Sequence, residues 1–179
     1  LDEEERTPDK ADARVLTEEQ VDGTVEISDV SFSYVPDRKL IEHFNLSVKP
    51  GERVAIVGPT GCGKTTITRL INGLIPHYYE GDLSGYVSVN GAEIKNQQLS
   101  KISQRVGSVF QNPRSQFFNV DTTSELAFGC ENQGLPKEDV LERIADAANH
   151  FFLNGLLNRS IFELSGGEKQ RIACASVYA

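Results

Sequence analysis

A glycine-rich segment in the first half of the sequence carries the residues with the clearest chemistry. Residues 58–65 read GPTGCGKT and match the pattern G-x-x-x-x-G-K-[ST] at every specified position. Glycines let backbone N–H groups turn towards phosphate oxygens, Lys64 brings positive charge to the outer phosphates, and the Thr65 hydroxyl can ligate Mg²⁺. The predicted phosphate-binding residues are Gly58, Pro59, Thr60, Gly61, Cys62, Gly63, Lys64, Thr65 and Thr66. The alternative is a glycine-rich turn that holds a lysine by chance.

Two elements must position this loop, and the sequence predicts both. The short apolar run from Arg53 to Val57 is typical of a buried parallel strand. A helical pattern runs from Lys64 to Leu74 and ends near Gly73 and Pro76. A strand, a loop and a helix in this order are the context that a phosphate loop needs. Because kinases, GTPases, helicases and transporters share that context, the loop alone predicts only a nucleotide-binding protein.

The opening of the chain is predicted to form a half-exposed, antiparallel sheet. Apolar and polar residues alternate over residues 24–34 and again over residues 44–48, with a turn at Pro36-Asp37 between them. The first alternation changes phase once, near Asp29, which predicts a β-bulge.

Further elements follow towards the end of the sequence. Tyr86–Val89 and Val106–Phe110 are predicted strands. Lys137 to Phe152 is predicted to be an amphipathic helix, and another helix begins at Gly166.

Composition and charge limit the possible partners. The formal net charge is −8, and −6 of it lies in residues 1–22, which hold nine acids and three bases and read as an acidic linker or tail. The remainder is nearly neutral, so we expect no nucleic-acid partner. No stretch has the roughly 18 apolar residues of a membrane span, so we expect other polypeptide segments to cross any membrane. The three cysteines and three histidines lack metal-ligand spacing, which favours free thiols in a reducing compartment.

A second motif, at residues 164–171, reads LSGGEKQR. Ser165 followed by Glu168 also predicts a capping box at the start of a helix, and the two interpretations are compatible. With the phosphate loop upstream, this motif resembles the signature of ABC transporter ATP-binding modules. The resemblance implies that Ser165, Gly166, Gly167 and Glu168 bind the γ-phosphate of an ATP held by a second, facing module. It therefore implies a head-to-tail dimer with two nucleotides between the modules.

The same resemblance assigns two isolated residues. Tyr34, at the end of the first predicted strand, matches the aromatic residue that stacks on adenine in the family; the alternative is an edge residue with a packing role. Gln111, in the sequence VFQNP, matches the glutamine that contacts Mg²⁺ and the attacking water. The resemblance thus implies ATP or ADP and Mg²⁺ as ligands, with Thr65 and Gln111 on the metal and Gln111 in a catalytic role.

The two parts of the sequence resemble different branches of the family. Residues 1–66, with VEISDVSFSYVPD and GERVAIVGPTGCGKTT, resemble exporter-type modules. Residues 67–179, with VFQNPRSQFFNVDTTSELAFGCEN, resemble the ATPases of energy-coupling factor importers. We therefore hypothesise a fusion joined near Lys64–Thr68. A natural genomic sequence that runs unbroken through residues 40–100 would contradict it.

The expected fold is α/β: a P-loop core with a parallel sheet, an antiparallel β-subdomain and a helical insertion over about 112–160, all within residues 23–179. The resemblance implies ATP hydrolysis that drives membrane transport, with a transmembrane partner and a cytoplasmic, membrane-peripheral location. The sequence ends at Ala179, before the family's metal-side aspartate, catalytic glutamate and switch histidine, so we expect nucleotide binding with little turnover. Two alternatives remain open: an ABC ATPase that acts on DNA or the ribosome, and an engineered fragment without activity.

Overall fold

The computed structural model describes residues 23–36 and 38–179. The predicted acidic tail, residues 1–22, and Asp37 of the predicted turn lie outside the described residues. The chain divides into two compact units, one up to Val106 and one from Gly107 to Ala179.

The first unit is built on one four-stranded sheet. Its strands are β1 (Val25–Ser33), β2 (Ile41–Val48), β3 (Asp82–Val89) and β4 (Ala92–Glu93), in the spatial order β2-β1-β3-β4. Every neighbouring pair is antiparallel. The antiparallel sheet expected at the start of the chain is confirmed, and Tyr86–Val89 forms the second half of β3.

The predicted bulge in β1 is also confirmed. The pairing of β1 with β2 shifts register between Ile27 and Val30, and Asp29 lies between them with a φ of 49°. On the other side of β1, Gly85 of β3 has a φ of +89°. A side-chain Cβ at Gly85 would lie 2.4 Å from the Asp29 carbonyl oxygen, so glycine is required where the bulge approaches β3.

Three helices complete the first unit: α1 (Lys64–Ile71), α2 (Leu74–His77) and α3 (Leu99–Ser103). The helix predicted for residues 64–74 is therefore shorter, because Gly73 takes a left-handed conformation with a φ of 76° and separates α1 from α2. Apolar residues of α1 and α3 bury one face of the sheet. The buried core of this unit is Ile27, Val30, Phe32, Ile41, Ile67, Leu70, Ile75, Val87, Val89, Ile94 and Ile102.

Two predicted strands do not form. Residues 53–57 and 106–110 have no strand pairing in the part of the chain that the structure describes. Val57 is 86% exposed, and Val109 and Phe110 are exposed as well. An apolar run becomes a buried parallel strand only beside a paired neighbour that satisfies its backbone N–H and C=O groups. The α/β class is thus confirmed, but the described sheet is antiparallel and the expected parallel sheet is not formed within it.

The second unit contains three longer helices, α4 (Thr122–Asn132), α5 (Lys137–His150) and α6 (Gly166–Tyr178). The amphipathic pattern of residues 137–152 is confirmed as α5, which ends two residues earlier than predicted. The buried core of this unit is Leu126, Ala127, Cys130, Val140, Ile144, Ala147, Ala148, Leu153, Leu156, Leu164, Ile172 and Ala175. Among the described residues, no helix is both long and apolar enough to cross a membrane.

Candidate functional site

The predicted phosphate loop lies at the N-terminus of α1. Gly63 forms the N-cap with a φ of 93°, and a Cβ there would lie 3.2 Å from Ile41 Cγ1. A Cβ at Gly58 would lie 2.6 Å from the Cys62 sulfur, so a side chain there would require the Cys62 side chain to move. The sequence folds in this way because glycine tolerates both the left-handed conformation and the close approach.

The side chain of Lys64 is hydrogen-bonded to the backbone of this loop. Its Nζ donates hydrogen bonds to the carbonyl oxygens of Gly58, at 2.6 Å, and Pro59, at 2.8 Å. The sulfur of Cys62 lies 3.7 Å from the same Nζ. The first residue of α1 therefore places a cation on the backbone of the loop that precedes it, where phosphate oxygens could replace the carbonyl groups as partners.

The N-terminus of α1 has the electrostatics of an anion site. No side chain caps the helix, so the first-turn N–H groups have no side-chain acceptor. Those groups and the helix dipole favour a negative charge in front of the loop. Thr65 is exposed on this first turn, whereas Thr66 is 4% exposed and faces the body of the unit. The loop thus fits Mg·nucleotide phosphates, with the Thr65 hydroxyl free to ligate a metal ion.

Tyr34 lies beside the first turns of α1 and is 37% exposed. Its hydroxyl accepts a hydrogen bond from Arg69 Nη1 at 2.9 Å and lies 3.3 Å from Thr66 Oγ1. Its ring contacts Phe32 edge-on, with centroids 4.7 Å apart, and Tyr79 at 6.4 Å. The first unit therefore brings Tyr34 and the phosphate loop together, through contacts that also serve packing.

The signature residues begin α6 in the second unit. Ser165 Oγ accepts from the Glu168 backbone N–H at 3.4 Å, and Glu168 Oε2 accepts from the Ser165 backbone N–H at 2.7 Å. The predicted capping box is confirmed, and the hydrogen bonds from Ser165 hold the pKa of Glu168 below its ordinary value. Gly166 and Gly167 have no heavy atom within 4 Å of an added Cβ, so the backbone at this helix N-terminus is open.

The two glutamines of the second unit differ in their surroundings. Gln111 is exposed, and its side chain makes no hydrogen bond within the described residues. Gln116 is buried: its Oε1 accepts from the Phe110 backbone N–H at 2.9 Å, and its Nε2 donates to the Ala173 carbonyl oxygen at 2.9 Å. Gln116 therefore joins the segment that carries Gln111 to α6.

Sequence reasoning missed three residues that shape these regions: Arg69, Tyr79 and Gln116. Arg69 follows Lys64 by five positions in α1, so its proximity to the loop could have been inferred from helical spacing. No signal in one sequence connects Arg69 to Tyr34, since 35 positions separate them. Gln116 lies among polar residues and belongs to no motif or periodic pattern that would have indicated its burial.

Comparison with known proteins supplies the family. The model of the ABC transporter family matches residues 41–179. A proposed ABC transporter ATP-binding protein of Treponema denticola is 50% identical over 157 residues, which cover 87% of this chain and 32% of that protein. The energy-coupling factor transporter ATP-binding protein EcfA1 of Ligilactobacillus salivarius is 39% identical over 156 residues, 87% of this chain and 54% of that protein.

Two solved structures share the fold. CbiO1 from Clostridium perfringens, part of the ABC transporter complex cbiONQ, has a TM-score of 0.77 and 27% identity, covering 87% of this chain and 61% of that one. A bacterial Atm1-family ABC exporter with ATP bound has a TM-score of 0.69 and 27% identity, covering 94% of this chain and 29% of that one. Relatives of both expected kinds are thus found, while the assignment of residues 1–66 to one kind and residues 67–179 to the other, with a join near Lys64–Thr68, stays a prediction.

The chain spans about a third to a half of the length of these sequence relatives. Within that span, the family model covers the phosphate loop, Gln111 and the signature motif alike. The chain therefore belongs to the ABC transporter family, among its ATP-binding proteins.

Proposed function

We propose that this chain binds Mg·ATP and that the whole protein couples ATP hydrolysis to transport across a membrane. The loop at the N-terminus of α1 carries the proposal, because it combines a held cation with uncapped helix N–H groups. On binding, the phosphates replace the carbonyl groups of Gly58 and Pro59 as partners of Lys64. Bound Mg²⁺ would neutralise phosphate charge, with the exposed Thr65 hydroxyl on the first turn of α1 as a protein ligand.

Base recognition is assigned to Tyr34. Tyr34 is partly exposed. The hydrogen bond from Arg69 to its hydroxyl and the ring contact with Phe32 hold it beside the phosphate loop. A ring held in this way can stack on a base without first losing much conformational freedom. This arrangement supports adenine stacking at Tyr34 over packing alone.

The signature helix is assigned to a second nucleotide. The amides of Gly166 and Gly167 are unobstructed at the start of α6, and the cap fixes Ser165 beside them. A 13-residue helix that begins in this way can receive a phosphate from a facing copy or a related module. We propose a head-to-tail dimer, with ATP bound between the phosphate loop of one module and the signature helix of the other.

CbiO1 is part of the ABC transporter complex cbiONQ. By analogy, we propose that this chain acts at the cytoplasmic face of a membrane with a transmembrane partner. The nearly neutral net charge outside residues 1–22 gives no reason to propose a nucleic-acid partner.

The test is a calorimetric titration of the chain with Mg·ATP. Lys64→Ala should weaken binding by about tenfold or more, because charge-assisted hydrogen bonds to phosphate contribute roughly 1.5–3 kcal/mol each. Lys101→Ala removes the same charge from an exposed position on α3 and should bind as the parent does. Equal affinities for Lys64→Ala and the parent would reject the proposal.

The same titration, followed by light scattering, tests the dimer. Mg·ATP should double the mass of the parent chain. Ser165→Arg leaves Lys64 in place but fills the open helix N-terminus, so it should bind ATP and stay monomeric. If Ser165→Arg still forms a nucleotide-dependent dimer with the mass of the parent dimer, the head-to-tail arrangement is contradicted.

A further inference from the structure

Arg69 links the two regions that the proposed function assigns to the base and to the phosphates. It lies on α1, five residues after Lys64, and its Nη1 donates to the Tyr34 hydroxyl at 2.9 Å. Its Cζ lies 4.1 Å from the centroid of the Tyr79 ring, within the range of a cation–π contact. The guanidinium is therefore fixed between two tyrosines, with its position set by the helix that begins at the phosphate loop.

Thr66 adds a second attachment to the same phenol oxygen. Its Oγ1 lies 3.3 Å from the Tyr34 hydroxyl, and its side chain is buried. Thr66 and Arg69 are three residues apart, so they lie on the same face of α1 one turn from each other. The hydroxyl of Tyr34 is thus tied to two successive turns of the phosphate-loop helix.

The ring of Tyr34 also packs against two aromatic neighbours. Phe32 meets it at an interplanar angle of 87°, and Tyr79 meets it at 83°. Both contacts are edge-to-face, and 37% of the residue remains exposed. With the hydroxyl fixed and the neighbours in place, rotation of the ring plane is restricted.

We propose that Arg69 is a positioning residue for base recognition. It holds the Tyr34 ring at a fixed place relative to the phosphate loop and makes no contact of its own with the nucleotide. The inference rests on the proposed function, in which Tyr34 stacks on adenine. It predicts that Arg69 affects ligands that carry a base and has little effect on ligands that carry only phosphates.

The experiment compares two ligands, Mg·ATP and Mg·tripolyphosphate, by calorimetry. Arg69→Gln removes the cation and Tyr34→Phe keeps the ring but removes the hydroxyl. Each should weaken Mg·ATP binding by about three- to tenfold, the range expected when one ordered side chain must be fixed on binding. Tripolyphosphate binding should change by less than about twofold. Arg105→Gln, which removes an arginine two residues after the end of α3, is the charge control and should bind both ligands as the parent does.

A double variant completes the test. Because both changes break the same hydrogen bond, Arg69→Gln with Tyr34→Phe should cost no more than the larger single change. Equal weakening of both ligands would show a general structural role and overturn the proposal, as would unchanged Mg·ATP binding or additive losses. If Arg69→Gln does not fold, the comparison of the two ligands is made with Tyr34→Phe alone. This variant keeps the ring and its aromatic contacts and loses only the hydroxyl that Arg69 binds. If the parent and Lys64→Ala bind Mg·ATP equally, the proposed function itself has failed.

Discussion

The bulge in β1 makes a quantitative prediction about Gly85. Replacing it with alanine places a Cβ 2.4 Å from the Asp29 carbonyl oxygen and 2.7 Å from Val30 Cα, both of them backbone atoms that cannot rotate away. The left-handed φ of +89° adds about 1–2 kcal/mol for any residue with a Cβ. Forcing the strands apart adds about 1–3 kcal/mol more. The expected loss is therefore roughly 2–5 kcal/mol, a large share of the stability of a single domain.

Gly91, in the turn between β3 and β4, supplies the matched control. Its φ of +71° is similar, but an added Cβ there meets no atom within 4 Å. Gly91→Ala should cost only the backbone term, about 1–2 kcal/mol. Urea unfolding followed by circular dichroism measures both values, with unchanged slopes as the check that the unfolding transition is comparable. Equal losses for the two variants would refute the reasoning that the bulge excludes a side chain at Gly85.

Two further predictions concern the second unit. Asp121 Oδ1 accepts from the Ser124 backbone N–H at 2.9 Å at the start of α4, so Asp121→Ala should cost about 1 kcal/mol at pH 7, while Asp121→Asn keeps the cap. Since that hydrogen bond holds the pKa of Asp121 below its ordinary value, the contribution of the carboxylate is complete above the ordinary aspartate pKa and is lost as the pH falls through the lowered folded value. The difference in free energy of unfolding between the parent and Asp121→Ala, measured by urea unfolding, should therefore become smaller in acid. A difference that stays constant with pH would contradict this. Lys169 is 7% exposed, and its side chain makes no hydrogen bond or ion pair within the described residues. Lys169→Met should therefore raise the free energy of unfolding by about 1 kcal/mol, whereas Lys101→Met, at an exposed position, should not. A lower free energy of unfolding for Lys169→Met would show an unrecognised partner.

Local patterns in the sequence predicted local structure well. The change of phase near Asp29 identified the bulge. Alternate residues of a regular strand lie on the same face, so a change in the apolar–polar alternation marks a shift in register. The spacing of Ser165 and Glu168 identified the cap of α6, since both partners lie within one helical turn. The contact within residues 58–64 is local too, since Lys64 Nζ donates to the carbonyl oxygen of Gly58, six positions earlier.

Predictions that depended on distant partners were less successful. The apolar runs at residues 53–57 and 106–110 indicated burial, but a strand also needs a neighbour, and a run of apolar residues does not specify one. The sheet that does form joins β1 to β3, which starts 49 positions after Ser33. The contact between Arg69 and Tyr34 has the same character, as it depends on how α1 packs over the end of β1.

Helix α1 explains why phosphate and base recognition would depend on the same packing. Lys64 at its start reaches the loop, and Thr66 and Arg69 reach Tyr34. The same helix buries Ile67 and Leu70 against the sheet that carries β1. Because one rigid element carries all of these groups, a shift of α1 on its core would move the charge of Lys64 and the anchor of Tyr34 together. Affinity for ATP should therefore be more sensitive to core substitutions under α1 than affinity for tripolyphosphate, since the latter uses only one end of the element.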